Sequence, residues 1–264
     1  MIQSDFQNEA GTNLIVKKSL LKKNIAFFKS KLKTDTMTMA MVKAVGYGHG
    51  ANLIAKELED SKLVNYFGVA SIDKGVELRN HGIKMPIMVT NPISENFKNL
   101  IDYCLEPVLH NLELAASFSH FLNQENLTES NYPIHLKINT GMNRFGLDLH
   151  EIDKFFVINS RSTWSVKSVM SHLACSDMEE EDEYTHLQFS RFKTIRTIFN
   201  NAFEIPPLYH ILNSNGILRF PEEQHQMVRI GIGMYGATDF IPARKKPIQI
   251  AQLTTKIAKM RTIQ

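Results

Sequence analysis

Cysteine is scarce in this sequence, because only Cys104 and Cys175 among 264 residues carry a thiol, and they lie far apart. A disulfide framework is typical of small secreted domains with many closely spaced cysteines, so this pattern argues against one. Two isolated thiols are typical of a protein in a reducing compartment. We therefore expect a cytoplasmic location.

Long hydrophobic runs are also absent. No apolar run approaches the roughly 18 residues that a membrane-spanning helix requires. The first residues, 1–12, form a polar lead without an apolar core, which predicts that no signal peptide is present. We therefore predict no membrane partner.

Charge shows no strong excess of one sign, since 30 Lys and Arg residues face 27 Asp and Glu residues and give a net charge of +3. The one local cluster of lysines, near Lys18 and Lys22, is explained by a solvated helix face. We therefore predict no nucleic-acid partner, and we assign no metal site. The composition, 43% hydrophobic and 22% charged, is that of an ordinary globular protein, and the length suits one barrel of about 250 residues or two smaller domains.

Apolar runs of strand length alternate regularly with amphipathic stretches of helical period. After a short extended run at 13–16 and a helix at 19–31, helices are predicted at 49–60, 71–80, 95–103, 112–122, 150–158, 183–200 and from Ser214 onward. Between them we predict eight strands, at 37–43, 66–70, 86–89, 106–109, 132–139, 166–173, 208–212 and 227–232. Eight strand–helix units predict an α/β fold of the (β/α)8 TIM-barrel type.

The pattern changes from Pro247 onward, where apolar residues such as Ile250 and Leu253 are mixed with threonine and lysine. We interpret 247–264 as the first strand of a second, β-rich domain that this chain does not complete, and we expect this strand to be unpaired. The predicted division is a polar lead at 1–12, a barrel at 13–240 and this incomplete unit.

Lys43 ends the first barrel strand and is flanked by the apolar residues Met41, Val42 and Ala44. Such a lysine is predicted to be the last inward-pointing residue of a buried strand, where desolvation lowers the pKa of its amine. A neutral amine at a strand end can form a Schiff base with a carbonyl cofactor. The alternative is a lysine that caps the strand and extends to solvent.

Three glycines follow Lys43 within the run that ends at Gly50, together with Tyr47 and His49. The blocks Val-Lys-Ala at 42–44 and Tyr-Gly-His-Gly at 47–50 resemble the cofactor-attachment motif of bacterial alanine racemases, which carry pyridoxal phosphate in an α/β barrel. The resemblance implies that Lys43 binds the cofactor and acts as a catalytic base. Members of that family usually carry Asn and Ala where this chain has Val45 and Gly46.

The segment 135–146 contains Lys137 and Arg144 on either side of a turn at Gly141. Taken alone, the two charges could lie on the surface. The run resembles the family's Lys-x-x-Thr-Gly-Met-x-Arg-x-Gly signature, with Asn139 where relatives often have Asp. The resemblance implies that Arg144 binds the substrate carboxylate and orients the cofactor phenolate. It also implies that Lys137 is the lysine that many members carbamylate, which converts a cation into an anion beside this arginine.

Three further motifs of the family follow at strand ends. His172, in Met-Ser-His-Leu-Ala at 170–174, resembles the histidine that lies against the cofactor ring, although a lone strand histidine is more often a core residue. Barrels often bind phosphate in the loops after their last two strands, and here these carry Asn-Ser and Arg-x-Gly-Ile motifs. By resemblance the cofactor-binding residues there are Asn213, Ser214, Gly231 and Ile232, with Tyr47 and with Arg229 facing the pyridine nitrogen.

Arginine opposite the pyridine nitrogen has a chemical consequence. A carboxylate opposite the ring nitrogen would accept a hydrogen bond from its N–H and so keep the ring protonated. Arg229 has no acceptor for that proton, so the ring stays unprotonated and withdraws fewer electrons. That suits a reaction that removes and returns one Cα proton without side reactions.

The resemblance implies an alanine racemase that interconverts L-alanine and D-alanine and supplies D-alanine for peptidoglycan. In that family a second domain supplies a catalytic tyrosine across a homodimer interface. The chain ends at Gln264, so we expect the isolated chain to lack this second base. Two alternatives remain: a non-catalytic barrel of the pyridoxal-phosphate homeostasis kind, and a racemase of another amino acid such as serine.

Overall fold

Eight parallel strands form the centre of the protein in the computed structural model, which describes residues 11–127, 131–238 and 247–263. The strands are β2 (Met37–Met41), β3 (Tyr66–Val69), β4 (Ile87–Val89), β5 (Glu106–Leu109), β6 (Tyr132–Lys137), β7 (Trp164–Met170), β8 (Leu208–His210) and β9 (Met227–Ile230). They follow the order β8-β7-β6-β5-β4-β3-β2-β9. Where β8 and β9 meet, the backbone N–H of Arg229 donates to the carbonyl of Leu212 at 3.1 Å. The sheet is therefore a nearly closed barrel, which confirms the predicted α/β class.

Helices follow these strands along the sequence, and the longer ones cover the outside of the sheet. They are α1 (Lys18–Lys29), α2 (Lys43–Tyr47), α3 (Ala51–Ser61), α4 (Ile72–Asn80), α5 (Phe97–Asp102), α6 (Leu112–Gln124), α7 (Ile152–Asn159), α8 (Asp182–Ala202) and α9 (Ser214–Arg219). Each longer helix buries residues three or four positions apart, as α8 does with Phe189, Phe192, Ile195 and Phe199. Single 3-10 turns lie at 94–96, 149–151, 179–181, 221–223 and 232–235.

Two apolar clusters share the strand side chains. The larger one contains outward-facing residues such as Ala40 and Phe67, which pack against the helices. The smaller one fills the barrel interior and is rich in methionine: Met39, Met41, Met88, Met170 and Met227, with Tyr66 and Val108. Because successive strand residues point to opposite faces and both faces are buried, most of these strands read as hydrophobic runs.

A second, two-stranded sheet lies outside the barrel. β1 (Thr12–Val16) pairs antiparallel with β10 (Ala251–Thr255), and Thr12 lies opposite Thr255. The expectation of an unpaired strand after Pro247 was therefore wrong, because the extended run before α1 supplies its partner. Most of the predicted polar lead and the predicted barrel boundary at 240 lie outside the described residues.

Asn24 attaches the segment that leads into β10 to helix α1. Its side-chain N–H groups donate to the carbonyls of Ile248 at 2.7 Å and Met234 at 3.0 Å, and its Oδ1 accepts from the N–H of Ile248 at 2.8 Å. Asn24 is only 2% exposed, so these three bonds satisfy backbone groups that water reaches poorly.

We expect Asn24→Ala to lower the free energy of unfolding by about 2 kcal/mol, because it leaves two carbonyls and one N–H without their side-chain partner. Urea unfolding measures the change. The matched control is Asn201→Ala on the exposed end of α8, which should change stability by less than about 0.5 kcal/mol. Equal effects of the two substitutions would contradict this account of Asn24.

Among the helices of the described residues, none has the length and apolar composition needed to cross a membrane.

Candidate active site

A cavity of about 450 Å³ opens at the carboxyl ends of the barrel strands, where barrels of this class place their active sites. All ten residues that the sequence singled out line it: Lys43, Tyr47, Lys137, Arg144, His172, Asn213, Ser214, Arg229, Gly231 and Ile232. The structure therefore brings these residues to one site, while the role of each remains a prediction.

Lys43 lies at the start of a turn, because β2 ends at Met41. The prediction that Lys43 is the last residue of the strand was therefore wrong. The next four residues have positive φ angles: Ala44 at 50°, Val45 at 55°, Gly46 at 64° and Tyr47 at 51°. This is one turn of left-handed helix, a conformation that costs L-residues other than glycine about 1–2 kcal/mol each. A β-branched residue such as Val45 is especially unusual there.

Packing holds this left-handed turn in place. A Cβ on Gly46 would lie 3.1 Å from backbone atoms of Ala51, so the turn is pressed against the start of α3. The ring of Tyr47 lies 4.9 Å from that of Tyr235, whose hydroxyl donates to the carbonyl of Met41 at 3.3 Å. The turn thereby directs Lys43 and Tyr47 into the same cavity.

We expect Val45→Asn to raise the free energy of unfolding by about 1 kcal/mol, because asparagine tolerates the left-handed region better than valine does. Little apolar burial is lost, since Val45 is 55% exposed. The control is Val157→Asn, a valine of similar exposure in the right-handed helix α7, where no gain is expected. If urea unfolding gave Val45→Asn no advantage over Val157→Asn, the turn would not be strained at this residue.

Four cationic side chains line the cavity: Lys43, Lys137, Arg144 and Arg229. Over the described part of the chain, no Asp or Glu is among the lining residues. Burial, with the positive charges of Arg144 and Arg229, lowers the pKa of Lys43. Burial, with Arg229, Arg144 and Lys43, lowers the pKa of Lys137 to about 8. The cavity therefore favours anionic ligands and favours the neutral form of its two amines.

Arg229 is held by hydrogen bonds to protein groups on neighbouring strand ends. Nη2 donates to the carbonyl of Ser171 at 2.6 Å, to that of Ile211 at 3.0 Å and to Nδ1 of His172 at 3.3 Å. Nη1 donates to Nδ1 of His210 at 2.5 Å and to its carbonyl at 3.2 Å. Burial lowers the pKa of Arg229 to about 9, and burial with the charge of Arg229 keeps that of His172 well below its usual value.

The loop that carries Arg144 is built around Asn139. Its Oδ1 accepts from the N–H groups of Gly141 at 3.1 Å and Asn143 at 3.0 Å, which closes the turn. Tyr184 on α8 donates to the carbonyl of Gly141 at 2.6 Å and fixes the loop against that helix. An exposed arginine at the cavity rim therefore stands on a well-fixed loop.

Ser214 links the ends of the last two strands. Its Oγ accepts from the N–H groups of Gly231 at 3.0 Å and Gly233 at 3.2 Å. Asn213 caps α9 by accepting from the N–H of Gly216 at 2.9 Å. Because Ile232 begins a 3-10 turn, its N–H has no partner within that turn and is available to a ligand.

Sequence reasoning missed several residues that also line the cavity, among them Thr90, Asn91, Phe145 and Asn215. The ring of Phe145 lies 5.5 Å from the ammonium of Lys137, a cation–π contact. Thr90 and Asn91 directly follow β4. Their position after a predicted strand was the available signal, because strand ends of a barrel converge on one face. No cluster of metal-ligating side chains occurs in the described ranges.

Fold and site together define a (β/α)8 barrel with a cationic cavity for an anionic ligand and two lysines of lowered pKa. A family model described as alanine racemase, N-terminal domain, matches residues 16–239. The chain belongs to the alanine racemase family.

Relatives named alanine racemase agree with this chain in sequence and in structure. The chain is 33% identical over 262 residues to alanine racemase 2 of Clostridium acetobutylicum, and the alignment covers 97% of this chain and 64% of that protein. It is 35% identical to the alanine racemase of Treponema denticola, covering 85% of this chain and 59% of that protein. The solved alanine racemase of Clostridium difficile superposes with a TM-score of 0.87 at 27% identity, covering 96% of this chain and 70% of that one. The chain thus spans about three-fifths of the length of these sequence relatives.

Proposed function

We propose that this chain is the cofactor-binding barrel of an amino-acid racemase that uses pyridoxal phosphate and acts on alanine. The observation that carries the proposal is the joint placement of Lys43, Arg144 and Arg229 in one cavity that no carboxylate lines over the described residues. Relatives named alanine racemase support the choice of substrate.

The residues of the cavity fit the cofactor by charge and by size. Pyridoxal phosphate carries a phosphate and a phenolate, and the cavity has four cations to balance them. A volume of about 450 Å³ lies in the range of small-molecule sites. We assign phosphate binding to Ser214, Tyr47 and the backbone of Gly231 and Ile232, with Asn213 supporting the start of α9.

When bound, the cofactor supplies an aldehyde that combines with an amine and a ring that withdraws electrons from the substrate Cα. Lys43 would hold it covalently and would take or return the Cα proton on one face. A lowered pKa suits both tasks, because the neutral amine is the nucleophile and the base. His172 would lie against the ring.

Arg144 would bind the substrate carboxylate, since a guanidinium holds two anionic oxygens in a fixed fork. Lys137 is proposed as a carbamylated lysine. Its pKa of about 8 leaves a useful fraction of neutral amine near neutral pH, and the surrounding cations would stabilise the carbamate anion. A carbamate there would also reduce the repulsion among the four cations.

Arg229 would face the ring nitrogen. Its guanidinium is already committed to carbonyl and imidazole acceptors, so it remains a donor and does not take up a proton from the ligand. This restrains the ring as an electron acceptor and favours simple return of the proton.

The complete enzyme is proposed to be a cytoplasmic homodimer that supplies D-alanine for peptidoglycan. The second base is proposed to come from a further β-rich domain that begins at 247–263. Two observations support such a domain: the relatives are longer, and Leu253 and Ile257 are 70% and 77% exposed. Large apolar side chains at this exposure are typical of surfaces that another unit covers.

Incubation with pyridoxal phosphate and L-alanine in D₂O tests the proposal. A racemase yields alanine that carries deuterium at Cα, part of it as the D enantiomer, and both are measured by NMR and chiral chromatography. If the second base is missing from the 264-residue chain, Lys43 can exchange only the enantiomer whose Cα proton lies on its face, so L- and D-alanine are incubated separately. Deuterium should then enter one of them without inversion, and a longer chain should restore inversion. L-Serine, tested in parallel, identifies a racemase of that amino acid.

A specific result would favour the non-catalytic alternative. In that case the cofactor would attach to Lys43, yet neither amino acid would gain deuterium in the short chain or in a longer one. Attachment to Lys137 in place of Lys43 would contradict the assignment of both lysines.

A further inference from the structure

A chain of buried polar residues runs through the barrel interior below the cavity. It begins at Arg229 and passes through His210, Ser168 and His135 to Glu106. Four contacts connect these side chains, at 2.5, 3.0, 2.6 and 2.8 Å in that order. All five residues are at most 7% exposed, so the contacts are shielded from competing water.

The two ends of this chain differ in hydrogen-bonding chemistry. Arginine can only donate, and an ionised carboxylate can only accept. Although burial raises the pKa of Glu106, hydrogen bonds from His135, Lys167 and Tyr66 lower it to about 2, so Glu106 is ionised. Burial lowers the pKa of His135, which keeps its ring neutral. Lys167 donates to its Oε1 at 2.9 Å and Tyr66 to its Oε2 at 2.7 Å.

A donor-only end and an acceptor-only end leave one arrangement for the protons between them. Nδ1 of His210 must accept from Arg229, so His210 carries its proton on Nε2 and donates it to Ser168. The hydroxyl of Ser168 then donates to Nδ1 of His135, which leaves Nε2 of His135 to donate to Glu106. Every donor in the chain therefore points toward the carboxylate.

We propose that Glu106, His135, Ser168 and His210 are positioning residues for Arg229, and that their one-directional hydrogen bonds fix the orientation of its guanidinium. Nη1 is held by His210 and Nη2 by backbone carbonyls. In the described part of the chain no acceptor contacts Nε, so Nε–H is the donor that remains for a cavity ligand. That ligand is the cofactor ring only if the proposed function holds; the positioning itself does not depend on it.

Without an ionised Glu106, the hydrogen-bond chain would lose its acceptor-only end, and only Arg229 would still favour this direction. His135 and Ser168 could then reverse their donors, and His210 would present Nδ1–H to the arginine, two donors facing each other. A reversed chain would push Nη1 away and loosen the guanidinium. The carboxylate thus acts on Arg229 through three intervening residues and without touching it.

The first test needs no substitution and no cofactor. NMR of the 264-residue chain, labelled with ¹⁵N-histidine at neutral pH, reports which ring nitrogen carries the proton. We expect His135 and His210 each to carry it on Nε2. A proton on Nδ1 of either histidine, or a doubly protonated ring, would overturn the proposal.

The second test measures exchange of the Arg229 side-chain N–H groups with solvent, assigned by their loss in Arg229→Lys. Ser168→Ala interrupts the hydrogen-bond chain without changing charge, and Glu106→Gln removes the negative charge but keeps the side-chain shape. We expect each substitution to speed exchange about tenfold. Ser168→Thr keeps the hydroxyl and should restore exchange to within about threefold of the original rate. The control is Ser162→Ala. The Ser162 hydroxyl bonds Ser119 and the carbonyl of Ile158, which are not part of the hydrogen-bond chain, so its loss should not change the exchange rate of Arg229.

An unchanged exchange rate in folded Ser168→Ala, or an equal change in Ser162→Ala, would show that the hydrogen-bond chain does not hold the guanidinium of Arg229. If Ser168→Ala fails to fold, Glu106→Gln and the histidine tautomers still decide. All these measurements use the protein without cofactor. Failure of the proposed racemase reaction would therefore not change their result, and failure of the positioning proposal would not contradict the racemase reaction.

Discussion

Lys43→Ala is expected to abolish covalent binding of pyridoxal phosphate and to lower deuterium exchange at the alanine Cα by about 10² to 10⁴-fold, the usual effect of removing a general base. Lys43 begins the left-handed turn at the cavity, and its amine is partly desolvated and near two arginines. Among the described lining residues, Lys137 at the end of β6 is the other amine with a lowered pKa, and it is therefore the alternative site of attachment.

Borohydride reduction followed by peptide mass spectrometry measures the attachment. The cofactor mass should appear on the peptide that contains Lys43 and should disappear in Lys43→Ala. Lys154→Ala, an exposed lysine on α7, is the matched control and should keep both attachment and exchange. Retention of the label in Lys43→Ala would place the attachment elsewhere and remove the basis of the proposed mechanism.

Arg229→Met is expected to lower the free energy of unfolding by about 3 kcal/mol. The substitution leaves the carbonyls of Ser171 and Ile211 and Nδ1 of His210 without a donor, and each such loss costs about 1–3 kcal/mol. Relief of the buried charge offsets part of this, so we take the lower end for each group. Arg229→Lys keeps the charge but not the planar fork and should fall between the two proteins.

Urea unfolding measures this effect, with Arg161→Met as the control for loss of an exposed arginine. The control should change stability by less than about 0.5 kcal/mol. An Arg229→Met protein as stable as the original would mean that the buried acceptors find other partners, and the hydrogen bonds of Arg229 would then contribute little to the fold.

Much of the fold could be predicted because barrel strands are buried on both faces. Their continuous apolar runs locate all eight strands, with ends that differ from the structure by a few residues; the first is predicted at 37–43 and found at Met37–Met41. Its end was predicted two residues too late because the apolar Val42 continues the run beyond Met41, so hydropathy does not mark where the strand ends.

The hydrogen-bond chain below the site could not be predicted from periodicity. Glu106, His135, Ser168 and His210 are polar residues in largely apolar strands, and that contrast was the available signal. A single sequence does not say which strands are neighbours in register, and only that register brings Ser168 between the two histidines. The β1–β10 pairing was missed for a related reason, because its partners are far apart in the chain.

That pairing has a consequence for how the molecule folds. Thr12 and Thr255, whose side chains bond at 2.9 Å, are separated by 243 residues, so their contact closes a very long loop. A two-stranded sheet is marginal on its own, and contacts of such separation reward the chain only after the intervening segment has become compact. The small sheet should therefore assemble after the barrel during folding, and it should be the region that opens most readily in the folded protein.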